Sequence, residues 1–157
     1  MSWNIYKIRK AFGGKLLGSL HMRKIVYDTL LLFPSEVIDY VSSHVWFFSS
    51  SEDAWAYTFD GNDLTNKHFI FLSDELLKQD QSQIQYTIAH EIGHVILKHK
   101  NSIGRQQPQS EIRRQEIEAD SIANFYLGNF RRDKPETMAE AEKTTASPAG
   151  KPVLGKV

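Results

Sequence analysis

No cysteine occurs among the 157 residues. That excludes a disulfide framework, a thiol nucleophile, a Cys-ligated zinc finger and an iron–sulfur cluster. Long apolar runs are missing too. The longest stretch free of Asp, Glu, Lys and Arg is Tyr40–Ser51, 12 residues of which five are serine. A spanning helix needs about 20 apolar residues, so none is expected. The N-terminus has no apolar segment of signal type, because Lys7, Arg9, Lys10, Lys15 and three glycines interrupt it. A cytoplasmic protein is the expectation. Net charge is also absent: Lys plus Arg is 19 and Asp plus Glu is 19. What is present is 41% apolar and 11% aromatic residues, enough for the core of one domain.

The zero net charge conceals an asymmetry. Residues 1–27 carry six basic residues and no acid, whereas residues 28–130 carry seven basic and fifteen acidic residues, net −8. A basic segment beside an acidic domain is able to touch nucleic acid or a regulatory protein, although lying on its own acidic domain is the simpler outcome. Three regions follow. Residues 1–22, with Gly13, Gly14 and Gly18 among scattered apolar positions, read as a poorly defined basic arm with room for a partial helix. Residues 23–130 form the folded domain. Residues 131–157 are rich in Ala, Lys, Thr and Pro, a tail that need not pack and is expected to be disordered.

Within the domain, residues 23–43 read as helix, divided by Pro34, because an interior proline costs about 3 kcal/mol. Val45–Phe48 and Trp55–Phe59 are β-rich, and Asp60-Gly61-Asn62-Asp63 reads as a turn. His68–Leu72 is a compact strand, followed by a short helix over 74–79. Residues 82–99 show helical periodicity, with apolar positions at 84, 88, 92, 95 and 96. A loop over 101–109 leads to a second strong helix at roughly 111–127, closed by Gly128. Trp3, Trp46 and Trp55 are core or surface aromatics that identify no ligand.

The chemistry sits on the first strong helix, where His90-Glu91-Ile92-Gly93-His94 spells HExxH. Residues i and i+4 lie about 40° apart round a helix and about 6 Å along it. Two imidazoles so placed converge on one metal ion. Glu91, about 100° from His90, reaches a metal-bound water without being forced onto the metal. Gly93 costs about 1 kcal/mol in a helix interior, which suits a place where another backbone or a substrate comes close. His99 is out of register with a metzincin-type third histidine and reads as a helix-end residue at the negative dipole terminus.

Catalytic zinc takes three protein ligands and one water. The second helix offers Glu116 and Asp120 at i, i+4 on one face, with the small Ala119 and Ala123 allowing close packing on the first helix. Glu116 supplies the third ligand. Asp120 accepts a hydrogen bond from the far nitrogen of a ligand histidine, fixing its tautomer. Glu118 is the rival ligand, but it lies about 200° from Glu116 round the helix, so only one of the two faces the metal.

HEIGHVILKH followed by RRQEIEADSIANFYL resembles the gluzincin metallopeptidases, and within them the small ImmA/IrrE-type and minigluzincin groups. The resemblance covers about residues 68–128. It implies a zincin-like α+β fold, with a small sheet packed on the active-site helix and the second ligand-bearing helix antiparallel to it. It implies zinc held by His90, His94 and Glu116, Glu91 as catalytic base, and a peptide or protein substrate cut by metal-assisted hydrolysis. Asp at position 120, where ImmA/IrrE-like chains often have Asn, leans toward the broader gluzincin pattern. Tyr126, His68 and Tyr86 are candidates for steadying the oxyanion, each also readable as a packing residue. His68–Leu72 or Trp55–Phe59 would be the edge strand that holds substrate. The alternatives are a regulator that binds a repressor or DNA on a zincin scaffold, a structural zinc module, and a latent peptidase covered by residues 1–22 or 131–157.

Overall fold

The computed structural model describes residues 2–51, 56–61, 67–99 and 107–128. The expected turn at Asn62-Asp63, Trp55, most of the 101–109 loop and the tail over 131–157 lie outside them. Among the described residues five α-helices and four strands follow one another as α1 (Ile5–Phe12), β1 (Leu16–Leu17), α2 (Leu20–Leu30), α3 (Ser35–His44), β2 (Val45–Ser50), β3 (Ala56–Gly61), β4 (Lys67–Ser73), α4 (Gln81–Ile96) and α5 (Gln109–Leu127). The architecture is α+β, as the sequence implies.

Local chemistry sets most of these boundaries. Asn4, Ser19 and Asp80 cap α1, α2 and α4 by accepting from Lys7, Met22 and Gln83 backbone N–H groups. Pro34 separates α2 from α3, as its ring requires. The helix expected over 74–79 is a single 3₁₀ turn, Leu76–Lys78, whose Leu76 N–H is capped by Ser73 Oγ at 3.0 Å. Asp60 and Gly61 belong to β3 rather than to a turn.

The sheet order is β1-β2-β4-β3, parallel except for the antiparallel β3–β4 pair. This corrects one expectation. His68–Leu72 is an interior strand, hydrogen-bonded on one side to β2 and on the other to β3, so it has no free edge for a peptide. The antiparallel edge is β3. Alternate residues of the interior strands divide the sheet. Val45, Phe47, His68, Ile70 and Leu72 are buried, while Trp46, Phe48, Phe69 and Phe71 are half-buried on the opposite face.

A second correction concerns residues 1–22. Rather than a poorly defined arm, they contribute a helix and a strand to the core. Ile8 and Phe12 are fully buried, and the Phe12 ring meets Phe47 edge-on with centroids 5.8 Å apart. Leu16 and Leu17 extend the sheet beside Phe47 and Phe48. The physical reason is the i, i+4 spacing of Ile8 and Phe12, one apolar stripe of α1 that survives the basic residues between because Arg9 and Lys10 stay exposed. Among the described residues no helix is long and apolar enough to cross a membrane.

Helix α4 is buried on almost every side from Gln83 to Val95. It lies against α2, against edge strand β3 and under α5. Contacts along α4 and α5 run in opposite order, with His90 meeting Asp120 and His94 meeting Glu116. At Gly93 the two helices come close together. A Cβ built there would stand 3.1 Å from Ala119 Cα, 3.2 Å from Ala119 O and 3.3 Å from Ile122 Cβ.

Candidate metal centre

Three side chains from the two packed helices meet at one point. His90 Nε2 and His94 Nε2 are 3.0 Å apart. Glu116 places Oε2 3.4 Å from His90 Nε2 and Oε1 3.5 Å from His94 Nε2. The His pair comes from the i, i+4 spacing of α4. Glu116 comes from α5 and is brought in by the close packing at Gly93 and Ala119. The imidazoles are buried and the Glu116 side chain is half exposed, so the cluster is open on the α5 side.

The donor set fits a tetrahedral metal of zinc type. Ligands about 2.0–2.1 Å from a tetrahedral centre stand about 3.3 Å from one another; the imidazole nitrogens are 3.0 Å apart and each has its own Glu116 oxygen at 3.4 or 3.5 Å. Two imidazole nitrogens and a carboxylate oxygen are zinc ligands by chemistry as well as by spacing.

The far nitrogens of both histidines are engaged. His90 Nδ1 is 2.9 Å from Asp120 Oδ1, and the same oxygen accepts from the Tyr86 hydroxyl at 2.7 Å. His94 Nδ1 is 2.9 Å from His99 Nδ1, and His99 Nε2 is 2.9 Å from Glu118 Oε2. Glu118 therefore sits on His99, on the side of α5 away from Glu116, and the two glutamates separate as the helix geometry requires. Glu91 is buried one residue along from His90.

The electrostatics of the metal-free cluster follow from these contacts. Burial pulls His90 down, but hydrogen bonds to Asp120 and Glu116, with the charges of Glu91 and Glu116, outweigh it and raise His90 to about 9. Burial and the neighbouring His90 push His94 down to about 4. The His90 hydrogen bond holds the Glu116 carboxyl below its ordinary value against the opposing effect of burial.

The other candidates are engaged in contacts of their own. The Tyr126 ring packs on Phe33 with centroids 4.5 Å apart, and His68 Nε2 is 3.3 Å from the Tyr40 hydroxyl. The Tyr86 hydroxyl is committed to Asp120. Sequence reasoning missed the part played by His99. A histidine five residues beyond His94 lies off the helical repeat that links ligand pairs, so periodicity gives no signal for it.

A family model described as Peptidase family M48 matches residues 36–112, and one described as Peptidase U49 matches residues 81–144. The first spans α3 through HExxH and stops before Glu116. The second includes all three converging side chains. Searches of curated proteins and of solved structures find no match. Both matches are to peptidase families and overlap on α4, where the His90, His94 and Glu116 cluster is compatible with them, and together they fit a gluzincin-type metallopeptidase.

Proposed function

We propose that this chain is a zinc-dependent endopeptidase, with His90, His94 and Glu116 as the metal ligands and Glu91 as the general base. The observation that carries this is the convergence of the three donors from two helices with a buried carboxylate, Glu91, beside them. A structural zinc site has no need of that carboxylate.

Zinc bound there would acidify a water and polarise the scissile carbonyl. Glu91 accepts the proton of the attacking water and returns it to the leaving amine. Asp120 holds His90 by its Nδ1 and is itself steadied by the Tyr86 hydroxyl. Substrate binds as an added strand on β3, the antiparallel edge strand, which runs beside α4. Main-chain hydrogen bonds along Ala56–Gly61 would align an extended peptide over the metal. A peptide or protein is therefore the expected partner.

The test is Glu91→Gln, which keeps shape and hydrogen-bonding reach but removes the proton acceptor. Zinc content and the circular dichroism spectrum should be unchanged. Hydrolysis of a broad peptide library should fall by about 100–10,000-fold. A variant as active as wild type overturns the assignment of the base. Equal inactivity of both zinc-loaded proteins overturns free peptidase activity and leaves a latent enzyme, a very narrow substrate, or a scaffold that binds a repressor or DNA.

A further inference from the structure

We propose that His99 and Glu118 form a positioning relay that fixes the tautomer and orientation of His94. The proposal rests on His94 being a metal ligand; His99 meets that ligand at its far nitrogen, and Glu118 reaches it only through His99.

The relay begins with the way α4 ends. Lys98 adopts φ +55°, a left-handed conformation in which glycine is usual and other residues are costly. The Lys98 N–H bonds to the Val95 carbonyl at 3.1 Å, and the His99 N–H bonds to the His94 carbonyl at 3.0 Å. These two bonds are the Schellman pattern. The turn folds the chain back so that His99 stands against His94, rings inclined at 72° with centroids 4.9 Å apart. Both imidazoles are buried, while the Glu118 carboxylate is partly exposed on α5.

For a neutral His99 the donor and acceptor inventory then fixes the protons. An ionised carboxylate only accepts. His99 Nε2, 2.9 Å from Glu118 Oε2, must therefore donate. A neutral imidazole that carries its proton on Nε2 leaves Nδ1 as an acceptor. The group 2.9 Å from that nitrogen is His94 Nδ1, which must in turn donate. His94 is then left with a bare lone pair on Nε2, the atom that faces His90 and Glu116. The opposite tautomer would put a proton where the metal ligand has to be. Asp120 does the same work for His90 in one step, as a carboxylate on Nδ1. For His94 the carboxylate acts through an intervening imidazole. Arg114 Nη1, 3.6 Å from the other oxygen of Glu118, steadies the outer end.

The full-length chain is stripped of metal, and its zinc affinity is measured by competition with a chromogenic chelator. His99→Ala should weaken zinc binding by about 10–100-fold. Glu118→Ala should weaken it in the same direction by less. The double variant should bind like His99→Ala alone, because Glu118 acts only through His99. Histidine side-chain ¹⁵N spectra should show His99 with its proton on Nε2, and that preference should weaken in Glu118→Ala. Additive losses, or a His99 proton resident on Nδ1 in wild type, overturn the relay. Should His99→Ala fail to fold, Glu118→Ala, at a partly exposed position, decides, and wild-type affinity there overturns the proposal. His94→Ala separates the two readings. If it loses zinc while His99→Ala and Glu118→Ala bind as wild type does, the relay alone fails. If it keeps stoichiometric zinc, the metal-site assignment fails first.

Discussion

Replacing Gly93 by alanine tests how the candidate metal centre is held together, because two effects of similar size oppose one another there. In a free helix the substitution is favourable by about 1 kcal/mol. Here the new Cβ meets Ala119 Cα at 3.1 Å, Ala119 O at 3.2 Å and Ile122 Cβ at 3.3 Å. Comfortable carbon contacts fall at about 3.5–4.0 Å, so α5 has to withdraw by roughly 0.4 Å. Two of the three atoms are backbone, and no rotamer change can relieve them. Overpacking of this kind costs about 1–3 kcal/mol. The net effect is a destabilisation of about 0–2 kcal/mol, or a few degrees of melting temperature at about 2–4 °C per kcal/mol. Zinc affinity is the more sensitive readout, since α5 carries both Glu116 and Asp120 and its withdrawal opens the ligand triangle. The measurement is a pair on the purified variant: thermal unfolding of the metal-free chain and chelator competition for zinc. Zinc binding should weaken while the melting temperature stays level or drops. A melting temperature that rises with zinc affinity unchanged would refute the reasoning, because it would mean that α4 and α5 do not touch closely at this position.

Two further outcomes are expected. His90, held near 9 when folded, stabilises the metal-free chain fully below about pH 6.5, and this contribution disappears as pH rises through about 9. His94, held near 4, contributes fully above about pH 6.5 and loses its effect as pH falls through about 4. Calorimetry of chelator-treated protein should therefore find a stability maximum near pH 6.5; stability that climbs steadily from there to pH 9 contradicts the arrangement. Phe12→Ala removes a fully buried ring that packs on Phe47 and Tyr27, and urea unfolding should show a loss of about 3–5 kcal/mol. A loss below about 1 kcal/mol would show that the N-terminal segment lies outside the core.

Much of the candidate metal centre was legible in the order of the residues because the grouping of its side chains depends on local helix geometry. The i, i+4 repeat places His90 and His94 on one stripe of α4, and Glu116 and Asp120 on one stripe of α5, whatever else the chain does. Pro34 divides α2 from α3 for an equally local reason, the lost N–H and the clash of its ring. Gly93 announced a close approach through the absence of a side chain, and the neighbour proved to be Ala119 on α5.

What lay beyond the sequence was decided between elements distant along the chain. Strand order is one case: His68–Leu72 has the composition of any short strand, and only its pairing with both β2 and β3 makes it interior and leaves β3 at the edge. The N-terminal segment is another. Its basic residues and glycines suggested a loose arm, yet Ile8, Phe12 and Leu16 find a core that later parts of the chain supply. Composition counts charges without showing which way they point. His99 is the sharpest case, because its contact with His94 depends on a left-handed turn at a lysine, where no glycine marks it, and its contact with Glu118 depends on α5 crossing α4. The sequence by itself determined which side chains could hold a metal, since helical spacing is a property of neighbours. The tertiary structure alone decided which groups hold those side chains in place, since such contacts exist only once two helices and a turn have packed against one another.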